Sequence, residues 1–160
     1  MAKLEESYIV HGAVTYCDFG LRESRLVLEE SHGVFLKGLA QVTIKDSKSR
    51  ENILCFGGCI SPENPMTQET AREIAREVEE QTQLSFEEQI VEMFTLQTEE
   101  GKQVMACAGL CEPVIVSCTW DKEKEDVSVT AGKKALYGAA TLTCKYGGQI
   151  RILTAGQPET

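Results

Sequence analysis

Short clusters of β-branched and other apolar residues, separated by glycines and polar turns, alternate along both ends of the chain. Each cluster has the length and composition of a short, half-buried strand. The clusters occupy residues 24–28, 33–36, 40–44, 114–116, 127–129, 140–143 and 149–153. The polar runs 45–50 and 121–126 predict an exposed turn and a solvated loop. The two ends of the chain therefore predict a mainly β fold built from short strands.

The middle of the chain follows a helical period instead. Thr67 is suited to cap a helix that continues to Gln81. Four apolar side chains then share one helix face, at the spacing i, i+3, i+4 and i+7: Ala71, Ile74, Ala75 and Val78. Capping-box spacing at Ser85 predicts a second helix to about Phe94. The pattern predicts an α-helical insertion at about 67–94 that covers the β-rich domain or presents a face to a partner.

Length and charge narrow the class of protein. A chain of 160 residues has the usual length of one domain, and we expect a single domain over 1–160 with a frayed tail at 155–160. The net charge of −9 argues against a nucleic-acid partner, which requires clustered basic residues. No stretch reaches the ~18–20 apolar residues of a membrane helix. The acidic start at residues 1–7 does not resemble a cleavable signal, so we expect synthesis in a cytoplasm without stable membrane anchoring.

Seven cysteines are a high number for a chain of this length. In a reducing cytoplasm, clustered cysteines indicate metal or redox chemistry rather than disulfides. Two segments have Cys-x₃-Cys spacing, Cys55 to Cys59 and Cys107 to Cys111, which lies within the range that zinc sites use. We expect a subset of ligands, with the remaining cysteines buried as small apolar residues.

A weak internal repeat relates the two ends of the chain. Residues 12–20 and 138–147 both read Gly-Ala, several strand residues, then Cys-x-aromatic-Gly. The repeat makes Cys17 and Cys144 equivalent, so we expect their side chains to converge if the units share an axis. Two four-cysteine ligand sets for a structural metal stay open, and the repeat favours the second. The local set is Cys55, Cys59, Cys107 and Cys111; the distributed set is Cys17, Cys59, Cys111 and Cys144.

The sequence offers little support for catalysis. Neither His11 nor His32 adjoins a cysteine, so a thiol nucleophile has no neighbouring base in the sequence. We expect His32 to be a hydrogen-bonded turn residue and His11 to lie outside the ligand set. The chain also lacks a glycine-rich phosphate loop before a helix, a Cys-x-x-Cys motif and a His-Glu-x-x-His motif. We therefore predict a protein that is not an enzyme.

Five segments, in this order along the chain, resemble the PAAR-like family. They are Val-His-Gly-Ala-Val-Thr-Tyr-Cys-Asp-Phe-Gly at 10–20, Ser-His-Gly-Val at 31–34, Asn-Ile-Leu-Cys-Phe-Gly-Gly-Cys at 52–59, Cys-Glu-Pro at 111–113 leading to Trp120, and Leu-Thr-Cys-Lys-Tyr-Gly-Gly-Gln-Ile at 142–150. The resemblance extends over about residues 8–157.

The resemblance implies a small conical β fold whose base sits on a trimeric β-helical spike protein, of the valine-glycine repeat type, in a type VI-like contractile injection system. It implies a metal near the point that joins distant parts of the chain. Carried over by position, the metal ligands are Cys17, Cys59, Cys111 and Cys144. The metal is expected to be zinc, with iron as the alternative, because four thiolates accept either ion. The resemblance further implies delivery from the cytoplasm at the tip of the apparatus and carriage of a secreted effector.

Two departures from the family pattern leave alternatives open. Leu110 stands where the family has a proline, which leaves Cys107 or Cys118 as a substitute for Cys111. The helical stretch is also more charged and more regular than the linker of the family. Two other functions stay open: a free-standing zinc-ribbon adaptor that uses the local ligand set, and a thiol-dependent redox protein with a reactive cysteine.

Overall fold

The computed structural model describes residues 3–82, 95–97, 102–121, 124–130 and 133–157. The fold is mainly β, with 31% of the residues in strands and 14% in helices. This composition confirms the fold class predicted from the sequence. Among the described residues, one α-helix separates the N-terminal strands from the C-terminal ones.

The elements are short and numerous. In chain order they are a 3-10 helix at Leu4–Glu6, β1 at Val14–Cys17, β2 at Ser24–Arg25, β3 at Phe35–Leu36, β4 at Leu39–Ala40, α1 at Pro65–Thr82, β5 at Thr95–Gln97, β6 at Gln103–Met105, β7 at Lys124–Thr130, β8 at Lys133–Ala135, β9 at Thr141–Thr143 and β10 at Gln149–Ile152. The predicted loop at 121–126 is wrong in its second half, because β7 begins at Lys124 and pairs with β8. The predicted strand at 114–116 is an extended segment in which Ile115 forms an isolated bridge.

A four-stranded antiparallel sheet, in the order β2-β1-β10-β9, joins the two ends of the chain. Cys17 pairs with Ile150 across β1 and β10, and Thr143 pairs with Gln149 across β9 and β10. Because β1 and β9 both run antiparallel to β10, they finish at the same edge of the sheet, where β10 begins. Cys17 is the last residue of β1, and Cys144 follows the last residue of β9. We call this part of the molecule the cysteine end.

The core is assembled from side chains of many segments. Its largest fully buried members include Trp120, Phe56, Ile9, Leu26, Ile53, Leu136, Leu142 and Ile150. The indole N–H of Trp120 donates a hydrogen bond of 3.1 Å to the carbonyl oxygen of Asp46, which ties the polar run 45–50 to the core. Asp46 and Ser47 are buried, so the prediction of an exposed turn is wrong for these two residues.

The cap of helix α1 lies three residues earlier than the sequence predicted. Pro65 is its first residue, and Oδ1 of Asn64 accepts a hydrogen bond of 2.9 Å from the amide two positions later. An Asn cap followed by Pro at the first helical position is a favoured helix start. Thr67 is therefore a buried helical residue rather than the cap. Ala71 and Ala75 of the predicted apolar stripe are buried, as an amphipathic helix requires.

The second predicted helix, at 85–94, lies outside the described residues. A hairpin that the sequence did not predict follows, in which Leu96 of β5 pairs with Val104 of β6. We refer to residues 65–105, from the start of α1 to the end of β6, as the insertion.

The described ends of the chain lie together. The carbonyl oxygen of Ala155 accepts a hydrogen bond of 3.0 Å from the amide of Val10, and the side-chain amide of Gln157 donates one of 2.7 Å to the carbonyl of Tyr8. This part of the predicted frayed tail is thus bound to the N-terminal segment. Among the described residues, no helix combines the length and apolar character needed to cross a bilayer.

Candidate metal centre

A glycine separates two of the predicted ligands at the cysteine end. Gly148 directly precedes β10, and its carbonyl accepts a hydrogen bond of 2.8 Å from the amide of Cys144. A Cβ atom built on Gly148 would lie 2.5 Å from Sγ of Cys17. The thiol of Cys17 therefore occupies the space that a side chain at position 148 would fill. Because Gly148 has no side chain, the Cys17 thiol lies next to the Gly148 backbone, to which Cys144 is hydrogen-bonded. Cys17 and Cys144 are thereby brought to opposite sides of the same glycine.

Cys59 connects the N-terminal cysteine segment with the one at 107–111. It is bridged to Gly20 on one side and to Gly109 on the other. Reciprocal backbone hydrogen bonds of 3.0 and 2.9 Å join Cys59 and Gly109. Because Gly20 is hydrogen-bonded to the carbonyl of Cys17 and Gly109 lies two residues before Cys111, this short ladder brings Cys59 close to both cysteines.

The thiol of Cys111 faces a backbone donor. The amide of Phe56 donates a hydrogen bond to Sγ of Cys111 at 3.3 Å. Such a bond fixes the orientation of a sulfur ligand and favours its ionised form. The two possible substitutes lie elsewhere: the Cys107 thiol is 3.8 Å from the carbonyl oxygen of Thr67 in α1, and Cys118 is exposed.

The four cysteines of the distributed set line one small cavity, which we call the cysteine centre: Cys17, Cys59, Cys111 and Cys144. The cavity volume is ≈ 20 Å³, about enough for one water-sized ligand. Phe19, Phe56 and Ile150 form much of the remaining wall. A single ion held by thiolates at about 2.3 Å is one ligand compatible with this size and this set of donors.

Burial opposes the ionisation of two thiols of the centre, those of Cys17 and Cys111. It raises the pKa of Cys17 to about 11, with the neighbouring thiols of Cys144 and Cys59 adding to the rise and the Phe19 backbone opposing it. It likewise raises the pKa of Cys111 to about 12, and the nearby Cys55 thiol contributes. These thiols therefore stay neutral near pH 7 unless a bound cation displaces their protons.

The described conformation is not itself a closed metal site. Within the described parts of the chain, no three His, Cys, Asp or Glu side chains are grouped tightly enough to hold an ion as they stand. A cysteine thiol moves to a new position by rotation about a single bond, χ1. Ligation by all four cysteines would require such rotations around the cavity, and the ligand set stays a prediction.

The two histidines make hydrogen bonds away from the cysteine centre. Nδ1 of His11 accepts one of 2.9 Å from the amide of Leu28. Nε2 of His32 lies 2.9 Å from Oδ2 of Asp46, so His32 is hydrogen-bonded as the sequence predicted. The same carboxyl group accepts hydrogen bonds of 2.7 and 3.0 Å from the amide and hydroxyl of Thr43. We call Thr43, Asp46 and His32 the Asp46 cluster.

Both ends of the insertion are attached to the cysteine centre. At its start, the hydroxyl of Thr67 donates a hydrogen bond of 2.6 Å to the carbonyl of Cys59. At its end, the amide of Met105 donates one of 2.7 Å to the carbonyl of Ile60, and Val104 packs in a cluster with Phe19 and Cys59. The described residues at both ends of the insertion therefore pack beside the centre.

Sequence reasoning missed two contributors at the centre. Lys102 of the insertion lies over the ring of Phe19, 4.8 Å from its centroid, and forms an ion pair with Asp18. Phe19 is the aromatic residue of the repeated Cys-x-aromatic-Gly motif, so the repeat contained a signal for it. Lys102 had no such signal, because its partners are far away in the sequence.

The chain matches the model of a family described as a domain of unknown function (DUF4280) over residues 9–157, and it belongs to that family. The match includes all seven cysteines. No curated protein and no solved structure matches the chain.

Proposed function

We propose that this protein is a PAAR-like spike tip whose fold is stapled by a metal ion at the cysteine centre. In this role it caps the trimeric β-helical spike of a type VI-like contractile injection system and helps the spike to puncture a membrane. The protein is assembled in the cytoplasm and leaves with the apparatus. It is not an enzyme in this proposal, and its metal is structural.

The observation that carries the proposal is the convergence of four cysteines from distant segments on one ion-sized cavity. Cys17 ends β1, Cys144 follows β9, and Cys59 and Cys111 come from irregular segments between them. A metal bound there joins both ends of the chain and both flanks of the insertion. Because most of the strands have only two to four residues and bury little surface each, such a staple adds stability that packing alone supplies only in part.

Zinc suits the centre best, with iron as the alternative. Four thiolates accept either ion in tetrahedral geometry. Cys17, Cys59, Cys111 and Cys144 would hold the ion, and the Phe56 amide orients one of the sulfurs. When bound, the ion supplies cross-links between segments, and the aromatic wall of the cavity limits access of water to them.

The mechanical role explains why the fold should be most stable at the cysteine end. A tip that transmits the force of sheath contraction has to resist unfolding as it meets the membrane. The spike protein is the expected partner, and a secreted effector is the second. The acidic chain, with a net charge of −9, requires a partner surface that is not itself strongly acidic.

A zinc-ribbon adaptor remains the second candidate, because one observation favours it. Cys55, a member of the local ligand set, directly precedes Phe56, whose amide donates a hydrogen bond of 3.3 Å to Sγ of Cys111. Against the local set, the Cys107 thiol faces α1 rather than the cavity. The adaptor would bind its partners through the helical segment and would retain its metal without Cys17 or Cys144.

Elemental analysis of the purified protein distinguishes the metal-stapled spike tip from the zinc-ribbon adaptor. We expect one metal ion per chain in the wild type, and loss of most of it in Cys17→Ser and Cys144→Ser, with a lower melting temperature in both. Cys118→Ser is the matched control, because Cys118 is exposed, and it should keep its metal. Full retention in the two test variants would favour the adaptor, and no metal in chelator-free wild type would refute the stapled tip.

Binding to the spike needs a separate measurement. We expect the metal-loaded protein to associate with a purified trimeric valine-glycine repeat spike as one chain per trimer, measured by light scattering after size exclusion. Absence of this complex with a correctly folded, metal-loaded protein would contradict the spike-tip role while leaving the metal site intact.

A further inference from the structure

Cys55 is a fifth cysteine at the centre, and the four-ligand set gives it no role. It does not line the cavity, it is half-buried, and the residue that follows it, Phe56, donates its amide hydrogen to Sγ of Cys111 at 3.3 Å. Two free thiols that adjoin each other, one of them a predicted ligand, have a chemistry of their own. They can be oxidised to a disulfide.

The backbone geometry brings this pair within reach of such a bond. Sγ of Cys111 lies 3.3 Å from the amide nitrogen of Phe56. The Cα of Cys55 lies about 2.4 Å from that same nitrogen by standard peptide geometry, so the Cys111 sulfur is within about 6 Å of it. A disulfide joins its two sulfurs at about 2.05 Å. Because each thiol moves by rotation about χ1, we expect side-chain rotation to bring the two sulfurs to that separation.

We propose that Cys55 and Cys111 form a reversible disulfide that removes Cys111 from the ligand set, so that oxidation of this one pair releases the metal. The release step rests on the proposed metal site, whereas the disulfide does not. Three thiolates hold an ion less firmly than four, so the ion is released more readily. The cysteine centre would then keep its metal in a reducing cytoplasm and release it in an oxidising compartment.

The chemistry balances with a peroxide as the oxidant. The Cys111 sulfur attacks one peroxide oxygen, the O–O bond breaks, and a sulfenic acid and one water are formed. The Cys55 sulfur then attacks the sulfenic sulfur, the S–O bond breaks, and hydroxide leaves and takes up a proton as a second water. The two thiols have lost two electrons and two protons, and the peroxide has been reduced to two waters. A dithiol reductant reverses the change.

The test uses the full chain, reduced and loaded with zinc, in a background that carries Cys107→Ser and Cys118→Ser. In that background the tryptic peptide 103–122 contains Cys111 as its single cysteine, and peptide 51–72 contains Cys55 and Cys59. Hydrogen peroxide is added, zinc release is followed with a chromophoric chelator, and linked peptides are assigned by fragment-ion mass spectrometry.

We expect a Cys55–Cys111 link that appears in step with zinc release and disappears with dithiothreitol. Adding Cys55→Ser to the same background should slow the release at least five-fold, because the resolving thiol is gone. Equal release rates with and without Cys55, or a link from Cys111 to Cys59 instead, would overturn the inference.

The result is distinguishable from a failure of the proposed function. If the purified protein holds metal but forms no Cys55–Cys111 link, this inference alone is wrong. If the protein holds no metal, the release step falls together with the stapled tip. The mass measurement then decides whether the pair forms a disulfide at all.

Discussion

The Asp46 cluster and the cysteine centre both place ionisable side chains inside a small β-rich fold, and they are completed in different ways. The carboxyl group of Asp46 receives hydrogen bonds from Thr43 and His32, and Trp120 binds its backbone carbonyl. At the cysteine centre, the sulfurs of Cys17 and Cys111 face a cavity and have pKa values raised by burial.

The comparison shows which buried polar groups already have their partners within the described part of the chain. Among the described residues, every buried side-chain nitrogen and oxygen atom has a hydrogen-bond partner. The Asp46 cluster therefore stabilises the fold without any added group. Thiols are weak hydrogen-bonding groups that gain far more from a metal ion than from each other. Removal of the proposed ion and removal of the Asp46 side chain should accordingly have separable effects on stability.

Metal removal should have the largest effect. Chelation of the wild-type protein is expected to lower the free energy of unfolding by more than about 4 kcal/mol, the stabilisation given by a ligand at 1,000 times its dissociation constant. Denaturant titration with and without chelator measures it. Chelation of the Asp46→Ala variant should cause the same loss of unfolding free energy as chelation of the wild type, since groups that share no contacts behave additively. A wild-type protein whose unfolding is unaffected by a strong chelator would show that the centre does not staple the fold.

Asp46→Ala should have the next largest effect, about 3 kcal/mol, because it leaves the buried Thr43 amide without its acceptor. Equilibrium unfolding in urea measures the loss, and the metal content should not change. Glu51→Ala is the control: Glu51 is exposed and lies 3.8 Å from Lys48, so its removal should change stability by less than about 0.5 kcal/mol. Loss of metal in Asp46→Ala would mean that the two groups are coupled.

Gly148→Ala tests the cavity directly. The new methyl group would lie 2.5 Å from Sγ of Cys17, so the thiol has to move and the ligand geometry is disturbed. We expect a loss of about 2 kcal/mol together with a lower zinc affinity, measured by competition with a chromophoric chelator.

The control for this substitution is Gly33→Ala. Gly33 has a φ of +85° and nothing within 4 Å of its added Cβ, so it should lose about 1 kcal/mol through backbone strain alone. Its zinc affinity should equal that of the wild type. Equal affinity in both variants would contradict the role assigned to position 148.

Lys102→Met should have the smallest effect, about 0.5–1 kcal/mol, because the ion pair with Asp18 and the contact with the Phe19 ring are partly exposed. The Lys102 side chain is 40% exposed. Lys48→Met is the control, since the Lys48 side chain is 73% exposed and its removal should be neutral. Urea titration at low and high salt distinguishes the two, because only Lys102→Met should lose a salt-sensitive contribution.

The sequence alone determined the fold class and the place of the helix. Alternating short apolar clusters and glycines predict strands, and a 3.6-residue period predicts a helix, because both patterns follow from local geometry. The start of α1 was misplaced because Thr67, a good cap in isolation, is buried against Cys59. The sequence did not predict the burial of Asp46 for a similar reason. Its carboxyl group is hydrogen-bonded to His32 and its backbone carbonyl to Trp120, and both partners come from other segments of the chain.

The tertiary structure decided how the cysteines are grouped. The repeat had made Cys17 and Cys144 equivalent, but only the pairing of β1 and β9 with β10 brings them to one edge. Spacing could not distinguish Cys107 from Cys111, because the choice depends on which thiol faces α1 and which faces the cavity. Local patterns thus fix the elements and the supply of thiols, whereas contacts between residues far apart in the chain fix which of those thiols meet.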